Sequence, residues 1–268
     1  MHHLAEDVGD VEDDLLDTAE RAFPVPITMA FQPIVDIQNG RAFAHEALVR
    51  GVGGMGAGEV LAQVTAGNRW AFDRDSRLVA LHLAARLGLA SPGETALVSI
   101  NFMPNAADDP EYSVQPLLTA AHAAGLAPNR ILFEFTEHEP IDPAKLQAIL
   151  RTYRRLGFRT AIDDFGAGYS GLSLLSRFQP DLMKLDMGLI RCIDVDRIKR
   201  TLVAHMIGMA ADLGVGVVAE GVETAAEYEV LRDLGVGLMQ GYLFARPTLE
   251  ALTAPRLPGR QRHSAIAA

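Results

Sequence analysis

Cysteine is almost absent from this chain: Cys192 is the single one in 268 residues. One thiol cannot build a disulfide framework, and it fits a reducing compartment. Uncharged apolar runs never reach the roughly 18 residues that a membrane span needs. There is no HExxH, no paired-cysteine spacing and no histidine cluster, so zinc is disfavoured. Basic charge is in deficit, with 24 Lys and Arg against 34 Asp and Glu and a net charge of −10. That balance argues against DNA or RNA polymers as partners, because those need a basic face. It leaves room for one small anionic ligand, since metals can invert the charge of a site. The leader MHHLAEDVGDVEDD is acidic and lacks an apolar centre, so it does not read as a secretory signal. A cytoplasmic protein is expected. What is present is ordinary globular composition, 49% hydrophobic and 22% charged, which excludes wholesale disorder.

The ends differ from the middle. Residues 1–23 form an acidic extension, 24–252 one domain, and 253–268 a loose basic tail. The domain opens with ITMAFQPIVDI and RAFAHEALV, joined at Asn39-Gly40, which predicts a hairpin. A helical stretch in two pieces around Gly67 follows. Strands then alternate with helices: TALVSINF, RILFEFTE, RTAIDDF, DLMKLD, GVVAEGV and VGLMQGYLF are the strand candidates. Several intervening helices end at glycine, as a left-handed cap requires. The alternation predicts an α/β fold with a mostly parallel sheet. About seven or eight strands in one domain suggests closure into a barrel.

In such a barrel the reactive groups sit at the C-terminal ends of the strands. Here the first strand candidate ends near Gln32 and the second holds Glu46 and Arg50; then come Asn101, Glu134 with Glu137, Asp163 with Asp164, Lys184 with Asp186, Glu220 with Glu223, and Gln240. All are embedded among apolar neighbours. Buried carboxylates must be paired, protonated or metal-bound, and Lys184 and Arg50 are too few to pair them all. Oxygen donors of this kind suit Mg²⁺ or Mn²⁺. Asp163 and Asp164 would face opposite sides within a strand. Both can aim at one site where the strand ends, and Phe165-Gly166-Ala167-Gly168 provides that turn. A doubled carboxylate there could bridge two metals, as in phosphodiester hydrolysis. Cys192 is read as a packing residue, and the histidines, His45 included, as surface groups.

These residues lie in segments that resemble the EAL-domain family, phosphodiesterases acting on cyclic di-GMP. The segments are FQPIVDIQNGRAFAHEALVR, SINF, FEFTEHE, AIDDFGAGYSGLSLL, DLMKLD, VVAEGVET and GLMQGYLFARP, in order from Phe31 to Pro247. The resemblance implies a modified (β/α)₈ TIM-like barrel with one antiparallel strand from the N-terminal hairpin. It implies two divalent ions, Mg²⁺ or Mn²⁺. Glu46, Asn101, Glu134 and Asp163 would hold one; Asp163, Asp164 and Glu220 would hold or orient the other. Lys184 and Asp186 would flank the attacking water, with Lys184 or Glu220 as its base, and Gln240 would sit beside it. Gln32, Leu48, Arg50, Asp186 and Gln240 would contact the dinucleotide. Glu137 would anchor the loop that carries the aspartates, and Glu223 would support the site from behind. The family also implies a homodimer. A stand-alone EAL domain is expected, because the extension is too short for a sensory domain. Two stretches depart from the common family pattern: Phe102-Met103 after Asn101, and Gly51-Val52-Gly53-Gly54 after Arg50. The expected activity is hydrolysis of cyclic di-GMP to pGpG. The alternatives are a catalytically silent cyclic di-GMP receptor acting through a protein partner, and another metal-dependent phosphodiesterase on the same barrel.

Overall fold

The structure, a computed structural model, describes residues 22–106, 109–136, 142–168 and 171–259. Most of the acidic extension, the end of the basic tail and Glu137 lie outside the described residues.

β1 (Ile27–Asp36) and β2 (Arg41–Gly51) form the expected antiparallel hairpin. Asp36 organises its loop: Oδ1 accepts from the backbone N–H groups of Gln38 and Asn39, and Oδ2 from the Asn39 amide at 2.6 Å. β3 (Leu97–Asn101), β4 (Ile131–Thr136), β5 (Arg159–Phe165), β6 (Leu182–Leu185), β7 (Gly216–Ala219) and β8 (Leu238–Met239) then pair in parallel, each with the next, starting from β2. β1 closes the ring by pairing antiparallel with both β2 and β8. The fold is therefore an eight-stranded barrel with one reversed strand. An additional strand, β9 (Thr248–Leu249), bonds to β1 at Ala30 and Phe31. Nothing in its two-residue pattern announces it, because its pairing comes from the return of the chain to an open stretch of the β1 edge.

The helices follow local signals. α1 (Ala57–Leu61) and α2 (Arg69–Ala84) are separate, broken around Gly67 as expected. α3 (Pro110–Ala123), α4 (Pro143–Arg155) and α7 (Arg197–Leu213) start after the capping side chains of Asp109, Asp142 and Asp196. α5 (Gly171–Arg177) and α6 (Met187–Ile190) are short, and α8 (Ala225–Asp233) begins with a Thr224/Glu227 capping box. No described helix is long and apolar enough to cross a membrane.

Strand periodicity sorts the side chains. Ile34, Ala44, Leu97, Leu132, Ala161, Leu182 and Val218, from seven different strands, pack into one small apolar cluster inside the barrel. The residues between them, among them Val98, Phe133, Ile162 and Met183, join the large core under the helices. Two residues along from each interior apolar residue, toward the C-terminal ends of the parallel strands, stand Gln32, Glu46, Ser99, Glu134, Asp163, Lys184 and Glu220. An apolar plug thus floors a polar layer.

Three expectations change. Gln32 lies mid-strand rather than near a strand end, because β1 runs on to Asp36. His45 is buried, since the residue beside an inward Glu46 must face the helices; burial, opposed by Glu94, pushes its imidazole down to about 4. Cys192 is exposed, with a backbone φ of 63°.

Candidate active site

Lys184 stands at the centre of the polar layer and is fully buried. Its Nζ lies 2.8 Å from Glu134 Oε2, 2.9 Å from Asp163 Oδ1, 2.9 Å from Glu220 Oε1 and 3.6 Å from Glu46 Oε2. Four carboxylates, three from strands β2, β4 and β5 and Glu220 from just past β7, therefore surround one ammonium. One cation thus faces four acids. Burial pulls the Lys184 value down, but Asp163, Glu134, Glu220 and Glu46 outweigh it and hold the ammonium well above the ordinary lysine value. Burial raises Glu134 well above the usual carboxylate range; Glu46 and Asp163 add to this and Lys184 opposes it. Burial likewise pushes Glu220 up to about 8, against the pull of Lys184. This pocket holds more negative charge than its protein partners neutralise.

Neighbours orient the carboxylates. Ser99 Oγ donates to Glu134 Oε1 at 2.6 Å. Gln240 Nε2 donates to Glu46 Oε2 at 2.7 Å and to Gln32 Oε1 at 3.2 Å. Gln32 Nε2 in turn donates to the Ala245 carbonyl at 3.0 Å. Asn101 Nδ2 reaches Glu46 Oε1 at 3.4 Å. Gly241 lets β8 end here: a Cβ at that position would stand 2.0 Å from the Val222 carbonyl oxygen.

The adjacent aspartates meet by a different device from the expected strand-end turn. Asp164 adopts a left-handed backbone with φ 53°, and the β5–β6 register shifts between Ile162 and Phe165. This irregularity inside the strand turns both carboxylates to one side. Glu46, Glu134 and Asp163 offer oxygens within 4.8 Å of one another, and so do Asp163, Asp164 and Glu220. Two groups of three carboxylates sharing Asp163 are positioned for metal ions. Two further features fit hard cations: every donor is oxygen, and Gln240 Oε1 is buried without a hydrogen-bond partner.

Two clefts flank this cluster. One, of about 230 Å³, is lined by Gln32, Leu48, Asp164, Asp186, Glu220 and Gln240, among others. The other, of about 390 Å³, is largely apolar and is reached past Glu46, Asn101 and Asp163. Asp186 also caps α6, its Oδ1 accepting from the Gly188 N–H at 2.7 Å. Glu223 borders the first cleft and binds Arg191 through both carboxylate oxygens. Arg50 lines neither cleft in this structure: its guanidinium donates to the neighbouring Val49 carbonyl at 2.7 Å. Sequence reading missed Ser99, although it shares a strand face with Asn101. It also missed Asp73, Ser76 and Tyr242, which line the clefts from helix and loop positions with no strand-end signal.

The sequence profile of the EAL domain matches residues 25–247. The blue light- and temperature-regulated antirepressor BluF of Escherichia coli is 31% identical over 255 residues, 95% of this chain and 62% of BluF. The cyclic di-GMP phosphodiesterase RocR of Pseudomonas aeruginosa is 34% identical over 63% of this chain and 43% of RocR. The chain thus spans less than two thirds of these curated relatives. A stand-alone EAL protein of Vibrio cholerae, solved with cyclic di-GMP, is 44% identical with a TM-score of 0.83, covering 88% of this chain and 98% of that one. A manganese and cyclic di-GMP complex of BlrP1 from Klebsiella pneumoniae is 40% identical with a TM-score of 0.79, covering 87% of this chain and 58% of that one. With a barrel, a carboxylate layer and a profile match that agree over most of its length, the chain belongs to the EAL domain family.

Proposed function

We propose that this chain hydrolyses cyclic di-GMP to linear pGpG with the help of two divalent cations, Mg²⁺ or Mn²⁺. One observation carries the reading: two triads of carboxylates, one largely buried and one half-buried, share Asp163 around a barrel mouth flanked by two clefts. The named ligands of the Vibrio and Klebsiella neighbours support it. Glu46, Asn101, Glu134 and Asp163 would hold one ion; Asp163, Asp164 and Glu220 would hold the other. When bound, the ions supply Lewis acidity toward water and phosphate.

The chain's own residues do the rest. Water attacks phosphorus in line, and the ribose 3′ oxygen leaves. Glu220 takes the water's proton, because Lys184, held as an ammonium, has no lone pair to accept one. Lys184, pinned by carboxylates, holds positive charge where the phosphate gains negative charge, and its fixed position needs no rearrangement during reaction. Gln240 faces the water through its unpartnered oxygen. Gln32, Leu48, Asp186 and Arg50 contact the dinucleotide, Arg50 after swinging away from Val49. Glu223 steadies the loop after β7.

The test is incubation with cyclic di-GMP and Mg²⁺ or Mn²⁺, with a chelator control and chromatography of the products. Chelator-sensitive pGpG is the expected result. The match to an antirepressor over 95% of the chain favours a second reading, a silent cyclic di-GMP receptor acting on a protein partner. Saturable binding without product would decide for that reading.

The activity belongs in the cytoplasm and to a homodimer. The exposed apolar residues Ile198 and Leu202, at 73% and 46% exposure, with Val195 just ahead of the helix, give the start of α7 a face for a second copy. Sedimentation at micromolar concentration is expected to show a dimer; a monomer would overturn that assignment.

A further inference from the structure

Helix α2 carries a buried ion pair that no step above uses. Asp73 and Arg77 stand one turn apart, 3% and 2% exposed. Arg77 Nη2 lies 2.5 Å from Asp73 Oδ2. Arg77 also donates from Nη1 to the Tyr153 hydroxyl at 3.2 Å and from Nη2 to the Ser113 carbonyl at 3.4 Å. It thereby ties α2 to α3 and α4. The second Asp73 oxygen, Oδ1, accepts from the Met103 backbone N–H at 2.7 Å. Met103 is two residues beyond Asn101.

A buried ion pair is weak support for stability, because well-packed apolar side chains often do as well or better. Its bonding partners suggest a more specific role. Asn101 is held poorly by its own side chain: the 3.4 Å bond to Glu46 is long for an amide donor. Its placement depends on the backbone that follows. That backbone is tethered at Phe102, whose N–H bonds the Glu134 carbonyl at 3.0 Å, and at Met103 by Asp73. Phe72, Asp73, Ser76, Phe102 and Met103 line the same cleft as Asn101 and Asp163.

We propose that Asp73, held by Arg77, is a positioning residue. Through the Met103 N–H it sets the 101–103 segment, so that the Asn101 amide stands ready for a divalent cation and is not ordered on binding. This inference rests on the metal-dependent reading above.

The test follows free Mn²⁺ by electron paramagnetic resonance as the full chain is titrated, with and without cyclic di-GMP. Asp73→Asn removes the charge that orients Arg77 and disturbs the Met103 tether. It is expected to weaken Mn²⁺ binding by about 10–100-fold, the usual loss when a residue supporting a metal ligand is removed. Tyr153→Phe removes an Arg77 partner but leaves Met103 tethered, and should bind Mn²⁺ like the parent chain even where its melting temperature falls. Unchanged affinity in Asp73→Asn, or an equal loss in Tyr153→Phe, overturns the clamp alone. A parent chain that binds no Mn²⁺ overturns the clamp and the metal-dependent reading together. Where Asp73→Asn fails to fold, hydrogen exchange on the parent chain decides. Coupling between sites is reciprocal, so added Mn²⁺ must slow exchange of the Met103 amide; an unchanged rate sinks the proposal.

Discussion

Replacing Lys184 with methionine is expected to destabilise the metal-free chain by about 3–5 kcal/mol at pH 8, the scale of removing one partner from a buried ionic cluster. The effect should shrink toward pH 5. The sign comes from the protons. Lys184 stays charged throughout this range, because its folded value lies above that of an ordinary lysine. Its stabilisation is therefore present below about pH 10 and is lost above it. Without it, Glu134, Glu220, Asp163 and Glu46 face one another with no cation bonded to them in the cluster. Glu134 and Glu220 are already raised by burial with Lys184 in place. In the variant the folded state holds still more protons than the unfolded state, so its stability must fall as pH rises from 5 to 8. Urea denaturation of both chains in chelator at the two pH values checks this. Equal losses at pH 5 and pH 8 would show that Lys184 contributes packing rather than charge. Mn²⁺ should restore part of the stability at pH 8, and the variant should not hydrolyse cyclic di-GMP.

Glu46→Ala is expected to do the reverse to stability. It removes one of four carboxylates around a single ammonium, so like-charge repulsion falls. Gln240 keeps its bond to Gln32. The variant should melt no lower than the parent in chelator, while metal-dependent hydrolysis falls by at least about a hundredfold, the scale of losing one preorganised electrostatic contact. Thermal melts in chelator and product chromatography give both readings. A folded Glu46→Ala chain with normal turnover would remove Glu46 from the active site. The pairing of higher stability with lost activity is what a site with surplus negative charge predicts.

How much was legible in advance follows from how local each signal is. The period-2 alternation in FEFTE, AIDD and MKLD places Glu134, Asp163 and Lys184 on one face of their strands, and closure makes that face the interior. The Asn39-Gly40 hairpin reverses β1 for reasons confined to a few residues. Helix starts at Asp109, Asp142, Asp196 and Thr224 are equally local, since a cap satisfies N–H groups within one turn. The inward residues could be named from the sequence, but their mutual distances could not.

Those distances come from barrel closure. Register between strands tens of residues apart brings four carboxylates to one Lys184 and leaves Arg50 outside both clefts, although both cations were equally plausible partners in the sequence. The left-handed backbone at Asp164 is similar: a strand-end turn and an internal irregularity predict the same two residues, and pairing with β6 selects the second. Asp73 shows the limit most plainly. On its helix it is one acid among polar neighbours. Its bond to Met103 joins residues 30 positions apart. Local chemistry determined which residues this chain turns inward; the packing of distant segments decided which of them meet.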